Sequence, residues 1–275
     1  MTTHVPRAAP GTPSPQVRTR SLPWDFTGAG GHRLSGRLEL PVDGEPTAIA
    51  LYAHCFTCGK DGLAAARTAR LLAQRSTAVL RFDFTGVGGS EGEFADTDFS
   101  GNVADLVCAA AALTERLRPP TLLVGHSLGG AAVLAAAHRV PGVRAVATIG
   151  APSHPAHLRR HFSPADRERI RRDGVAEVTL AGRPFRVGEG LLRDVVEQPQ
   201  RELIASLPVP LLVLHSPDDR LVDPSQAREI HDAAGDGASL VWLHGADHLL
   251  TDRADAERAA QLISSWAAPL LAAPG

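Results

Sequence analysis

The run TLLVGHSLGGAAVLAAA, residues 121–137, sets Gly125, Ser127 and Gly129 at G-x-S-x-G spacing. A serine on a sharp turn between a strand and a helix projects its hydroxyl above the sheet edge, and the glycines let both elements approach without a Cβ clash. A helix opening at Leu128 aims its unpaired N–H groups and positive dipole end at the same point, which favours a developing oxyanion. A hydroxyl is a poor nucleophile until a histidine takes its proton, and the histidine needs an acid to hold its tautomer. Later strand ends offer both types. PDDRLVD supplies Asp218, Asp219 and Asp223, ADHLL supplies Asp247 and His248, and His244 lies nearer the end of its strand. Neighbouring carboxylates are equivalent candidates until geometry separates them.

A second stretch, LYAHCFTCGKD (51–61), places Cys55 and Cys58 at C-x-x-C spacing beside His54 and Lys60. Structural zinc takes four ligands, and the third cysteine, Cys108, falls on the apolar face of a helix, so no metal is expected. A redox couple works best with a thiol at a helix N-terminus, and Gly59 to Gly62 lead into a helix starting near residue 63. With three cysteines, two of them this close, a disulfide scaffold is not indicated and reduced thiols are the expectation. RFDFTGVGGSEGEF (81–94) carries glycines resembling G-x-G-x-x-G. No helix follows Gly89 and no βαβ unit opens the chain, so it reads as a pocket-shaping loop with Ser90 bonding across a turn. No cofactor is expected.

The elements that must position these residues alternate along the chain. Apolar strand runs at 37–41, 47–53, 77–84, 121–125, 143–150, 209–216 and 238–245 are separated by amphipathic runs at 63–75, 99–118, 128–140, 224–235 and 253–271. This is the rhythm of an α/β sheet, and strands apolar almost throughout are those of a parallel sheet covered on both faces. The rhythm breaks over 152–207, where a charged helix, a hairpin-like AEVTLAGRPFRVGEG and a second helix over 191–206 read as a lid inserted over the carboxyl edge of the sheet. The core is then 21–151 with 208–275.

Composition narrows the partners. A 44% hydrophobic fraction over 275 residues suits a globular protein able to bury a sizeable core. A net charge of −2 makes no electrostatic case for nucleic acid or an anionic membrane. Residues 1–20, rich in Pro, Thr and Ser, read as a disordered leader and lack the apolar run of a secretory signal, so a cytoplasmic location is expected. No apolar run reaches the ~18–20 residues of a membrane span.

These residues together resemble the α/β-hydrolase fold superfamily from about residue 24 onward, with a mostly parallel sheet, helices on both faces and chain order Ser, Asp, His. The superfamily's H-G-x-x-D-x-x-V stretch is similar to HSPDDRLV and selects Asp219, with Ser216 in place of glycine. Its G-x-x-H pattern matches GADH and selects His248. Its H-G-F strand end is similar to His54, Cys55 and Phe56, which implies an oxyanion hole from the Phe56 and Leu128 amides, with Cys55 replacing glycine. Its R-x-D-x-R-G-x-G-x-S loop is similar to residues 81–90, with Phe84 and Thr85 where that pattern often has other residues. His54, Cys55 and His126 are then candidate pocket residues. AHCFTCGKD, AGRPFRVGEGLLRDV and GADHLLTDRADAERAAQLISSWA further resemble the hydrolase portion of a bacterial subfamily often fused to an OsmC-type peroxide-reducing domain; no such second domain, and no peroxidase activity, is expected within these 275 residues. The resemblance implies a serine hydrolase, a carboxylesterase on a small-molecule ester or acyl substrate. Acyl transfer or C–C bond hydrolysis by the same residues, a non-catalytic binding role, and a thiol role for Cys55 or Cys58 are the alternatives.

Overall fold

The computed structural model describes residues 18–180 and 182–272. Its centre is an eight-stranded sheet of β1 (Thr19–Pro23), β2 (Gly36–Pro41), β3 (Ala48–Ala53), β4 (Thr77–Phe82), β5 (Leu122–His126), β6 (Ala145–Ile149), β7 (Leu211–His215) and β8 (Ala238–Trp242). The spatial order is β1-β2-β4-β3-β5-β6-β7-β8. β1/β2 and β2/β4 are antiparallel, and every later pairing is parallel. All residues of β3 to β7 are buried, because helices cover both faces.

One face holds α1 (Leu63–Ala73) and α8 (Arg253–Leu271), packed on each other. The other holds α2 (Phe99–Arg116), α3 (Leu128–Ala136) and α7 (Ser225–Ala234). α3 has all nine residues buried, and its Ala-rich sequence lets it sit between the sheet and its helical neighbours.

Two expectations need adjustment at their edges. Residues 1–17 of the expected leader lie outside the described residues, but Thr19 and Arg20 belong to β1 and pair with Pro41 and Leu40. Between β6 and β7 come a 3₁₀ turn (Pro155–His161), α4 (Pro164–Asp173) and a hairpin of Val175–Leu180 with Arg183–Gly188. The single helix expected over 191–206 is two, α5 (Glu189–Glu197) and α6 (Gln200–Ala205). Pro199 forces the split, since Gln198 before it turns extended at ψ 131°. Among the described residues, no helix is long and apolar enough to cross a membrane.

The antiparallel half of the sheet carries a buried ion pair. Arg81 on β4 holds Glu39 on β2 at 2.8 Å, with side chains 4% and 1% exposed, and reaches Asp61 at 2.8 Å. Removing one partner of such a pair strands the other charge in a low dielectric. Glu39→Gln is therefore expected to lower stability by about 3 kcal/mol in urea denaturation, the low end of the usual range because Asp61 still faces the guanidinium. A loss below about 1 kcal/mol would show that Asp61 and water suffice for Arg81.

Candidate active site

Ser127 ends β5 and opens α3 in a conformation that L-residues rarely adopt, φ 55° and ψ −125°. The surrounding close packing imposes it. A Cβ on Gly125 would strike the Gly129 carbonyl, and one on Gly129 would strike the backbone carbonyls of Ala53 and His54 at the end of β3. The Ser127 amide is fixed to the Ile149 carbonyl at 2.9 Å.

The three candidate groups meet over the sheet edge. His248 Nε2 lies 3.1 Å from Ser127 Oγ, and His248 Nδ1 lies 2.7 Å from Asp219 Oδ2. Asp219 Oδ1 accepts the Leu221 and Val222 amides at 2.8 and 2.9 Å. Burial by itself would raise the Asp219 carboxyl, but the His248 hydrogen bond and charge, with those two amides, hold it below its ordinary value. The rival acids face elsewhere. Asp218 lies against the Gly245 amide at 3.4 Å, Asp223 accepts the Ser225 amide at the start of α7, and Asp247 bonds Thr251. His244 is exposed, whereas His248 is buried. An ionised carboxylate on Nδ1–H leaves the Nε2 lone pair facing the hydroxyl, which suits proton abstraction from Ser127.

His126 supports this arrangement from behind. Its Nε2 donates to the His248 backbone carbonyl at 2.7 Å, and the two rings lie 5.3 Å apart. Burial drives the His126 pKa down to about 4, so it stays a neutral hydrogen-bonding group. His54 donates from Nδ1 to the Cys55 carbonyl at 2.7 Å and packs edge-on to Phe84.

Ser127 and His248 open into a cavity of about 850 Å³ that Phe56, Leu128, Cys55 and Cys58 also line. Among the described residues, neither the Phe56 nor the Leu128 amide donates to a protein acceptor. The expected reduced thiols are not what the structure contains. The turn brings the Cα atoms of Cys55 and Cys58 to 5.3 Å and they form a disulfide, leaving Cys108 as the free cysteine.

Residues 50–261 match the profile of the alpha/beta hydrolase family. The chain belongs to that family. An esterase domain from a Rhodothermus marinus protein is 40% identical over 92% of this chain and 99% of its own, with a TM-score of 0.74. Est1E from Butyrivibrio proteoclasticus, solved with ferulic acid, has a TM-score of 0.73 at 19% identity, covering 90% of this chain and 98% of its own. Mouse alpha/beta hydrolase domain-containing protein 10 reaches 0.69 at 18% identity, covering 90% and 99%. No curated protein matches the chain by sequence.

In this alpha/beta hydrolase several cavity residues have roles that the sequence did not signal. Asp83, at the end of β4, takes the Lys60 amide at 2.6 Å, the Lys60 ammonium at 2.7 Å and the Gly89 amide at 2.9 Å. The glycine loop therefore wraps a carboxylate of the protein itself, and Ser90 bonds the Asp83 carbonyl and the Ser35 amide as a turn residue. His157 and His161 reach the cavity from the 3₁₀ turn, and Arg183 reaches it from the hairpin, donating to the Thr57 carbonyl. Burial lowers both imidazoles, which keeps them neutral donors or acceptors. The loop pattern over 81–90, which contains Asp83, was the available hint.

A carboxyl whose folded pKa is depressed adds stability that is full above its unfolded pKa and is lost as pH falls through the folded one. The stability gap between the wild type and Asp219→Asn, from urea melts at stepped pH, should be widest near neutrality and shrink below about pH 4. A gap that stays constant down to about pH 3 would mean that Asp219 is not held as the anion.

Proposed function

We propose that this chain is a serine carboxylesterase that cleaves small acyl esters through an acyl-enzyme on Ser127. The observation that carries the reading is the unbroken line of hydrogen bonds from Ser127 Oγ through His248 to a buried, doubly amide-bonded Asp219, opening into a cavity of about 850 Å³. His248 takes the hydroxyl proton as Ser127 attacks the acyl carbonyl, then passes it to the leaving alcohol. Water, activated by His248, attacks the acyl-enzyme and releases the acid. The Phe56 and Leu128 amides hold the oxyanion in both steps, and water is the only co-reactant.

The 40% identical esterase domain supports an ester as the electrophile. Apolar walls from Phe56, Leu158, Leu180, Phe185 and Leu249 suit an acyl or alkyl group small enough for the cavity. Residues 152–207 act as a lid, with the hairpin tied to the site through Arg183 and the Thr57 carbonyl and through the Phe56, Phe94 and Phe185 rings, whose centroids lie 5.5 and 5.1 Å apart.

A fluorophosphonate probe should add once to the wild type by intact mass and not at all to Ser127→Ala. Turnover of the best short-chain ester should fall by about 10⁴-fold or more in that variant. Retained turnover in Ser127→Ala, or a well-folded wild type that takes no probe, would sink the reading.

A further inference from the structure

The disulfide closes a ring across Phe56 and Thr57, and the Cys58 amide donates to the Cys55 carbonyl at 3.1 Å. The turn is thus closed twice, once by a covalent bond and once by a hydrogen bond. Phe56 sits inside the ring, with its amide directed by the conformation that the ring enforces. Both cysteines line the 850 Å³ cavity, and both also line a neighbouring cavity of about 160 Å³ with His54, His126 and Leu249. The bond is therefore part of the wall of two solvent-sized spaces, unlike a structural disulfide sealed in a core. Cys58 is half-buried while Cys55 is 6% exposed, so an incoming thiolate reaches Cys58 Sγ first.

We propose that Cys55–Cys58 is a thiol–disulfide exchange site for a dithiol, and that its oxidation state sets how firmly the Phe56 amide is held. The second part rests on the esterase reading above. A dithiol thiolate attacks Cys58 Sγ, the S–S bond breaks, and its electron pair leaves on Cys55 Sγ. The second thiol of the dithiol gives its proton to Cys55 and displaces Cys58 from the mixed disulfide; Cys58 takes up the proton lost by the first thiol. The dithiol is oxidised by two electrons to a cyclic disulfide, and the cysteines end as two thiols. Without the covalent closure, the turn keeps one hydrogen bond, and the donor is less preorganised for the oxyanion than in the oxidised form.

The test equilibrates the full chain with dithiothreitol or with its oxidised cyclic form. Alkylation in denaturant then counts thiols by intact mass, and ester turnover is measured for each form. Three alkylated cysteines are expected after reduction, and Cys108 alone after oxidation. The reduced form should show kcat about 10-fold lower with KM nearly unchanged, less than the ~10²–10³ of a fully lost donor, because the amide is loosened rather than removed. Cys58→Ser should show the lower kcat and ignore both reagents. Equal kcat in two forms of verified thiol count would overturn the coupling, and a pair that the oxidised reagent never closes would overturn the exchange site. Should Cys58→Ser fail to fold by circular dichroism, the two wild-type forms still decide. Absence of turnover and of probe adduct in both forms would instead overturn the esterase reading, with the thiol count still deciding whether the pair exchanges.

Discussion

The architecture of the site depends on how closely the start of α3 approaches the end of β3. Gly129 lies against the carbonyls of Ala53 and His54, closer than any side chain would allow. That approach holds Ser127 at positive φ, a strain on the order of 1–3 kcal/mol. It also sets the first turn of α3 beside the loop that follows β3, so the Leu128 amide and the Phe56 amide share one cavity. The strain is offset by burial, because Val133 and Leu134 are completely enclosed and each such side chain contributes about 1.5–3 kcal/mol. An amphipathic helix with one wet face could not be pressed so far into the sheet.

Charge is distributed around this contact in two separate systems. Asp219 serves His248 through Oδ2 at 2.7 Å, with the buried His215 Nε2 3.5 Å from the same oxygen, and its second oxygen is held by the Leu221 and Val222 amides. Asp83 serves the loops, drawing Lys60 and Gly89 onto one carboxylate. Between the systems stand His54 and His126, whose burial keeps them uncharged while they bond backbone carbonyls. Among the described residues, the His248 ring bonds a carboxylate on one side and the Ser127 hydroxyl on the other.

What could be read from the sequence follows from burial. Strands β3 to β7 are apolar at nearly every position because both faces are covered, and that run of apolar residues survives as a sequence signal. β1 leaves no such trace, since Ser21 to Pro23 are exposed and its place is fixed by backbone pairing with β2. Asp218, Asp219 and Asp223 are equivalent on paper, and only the turn after β7 sends one toward His248, one toward Gly245 and one into the start of α7. The Asp83–Lys60 pair joins residues 23 apart in sequence. C-x-x-C spacing does not tell thiols from a disulfide, because the turn between the cysteines decides whether their Cα atoms come within bonding range.

The loop from His54 to Asp61 gathers these constraints. It is closed on itself by the disulfide, anchored to β4 by Asp83, tied to the hairpin by Arg183 at Thr57, and packed through Phe56 on Phe94. Such redundancy is unusual for a surface connection and has a physical reason. The proposed oxyanion donor in this loop is a backbone amide, which has no side-chain rotamer to lock and can be aimed only by fixing the chain on both sides of it. Cys55 stands where the superfamily pattern has glycine, and a residue with a Cβ has fewer conformations available there. The same substitution that narrows the choice of backbone also supplies one end of the covalent closure, so the departure from the pattern and the extra constraint have one origin.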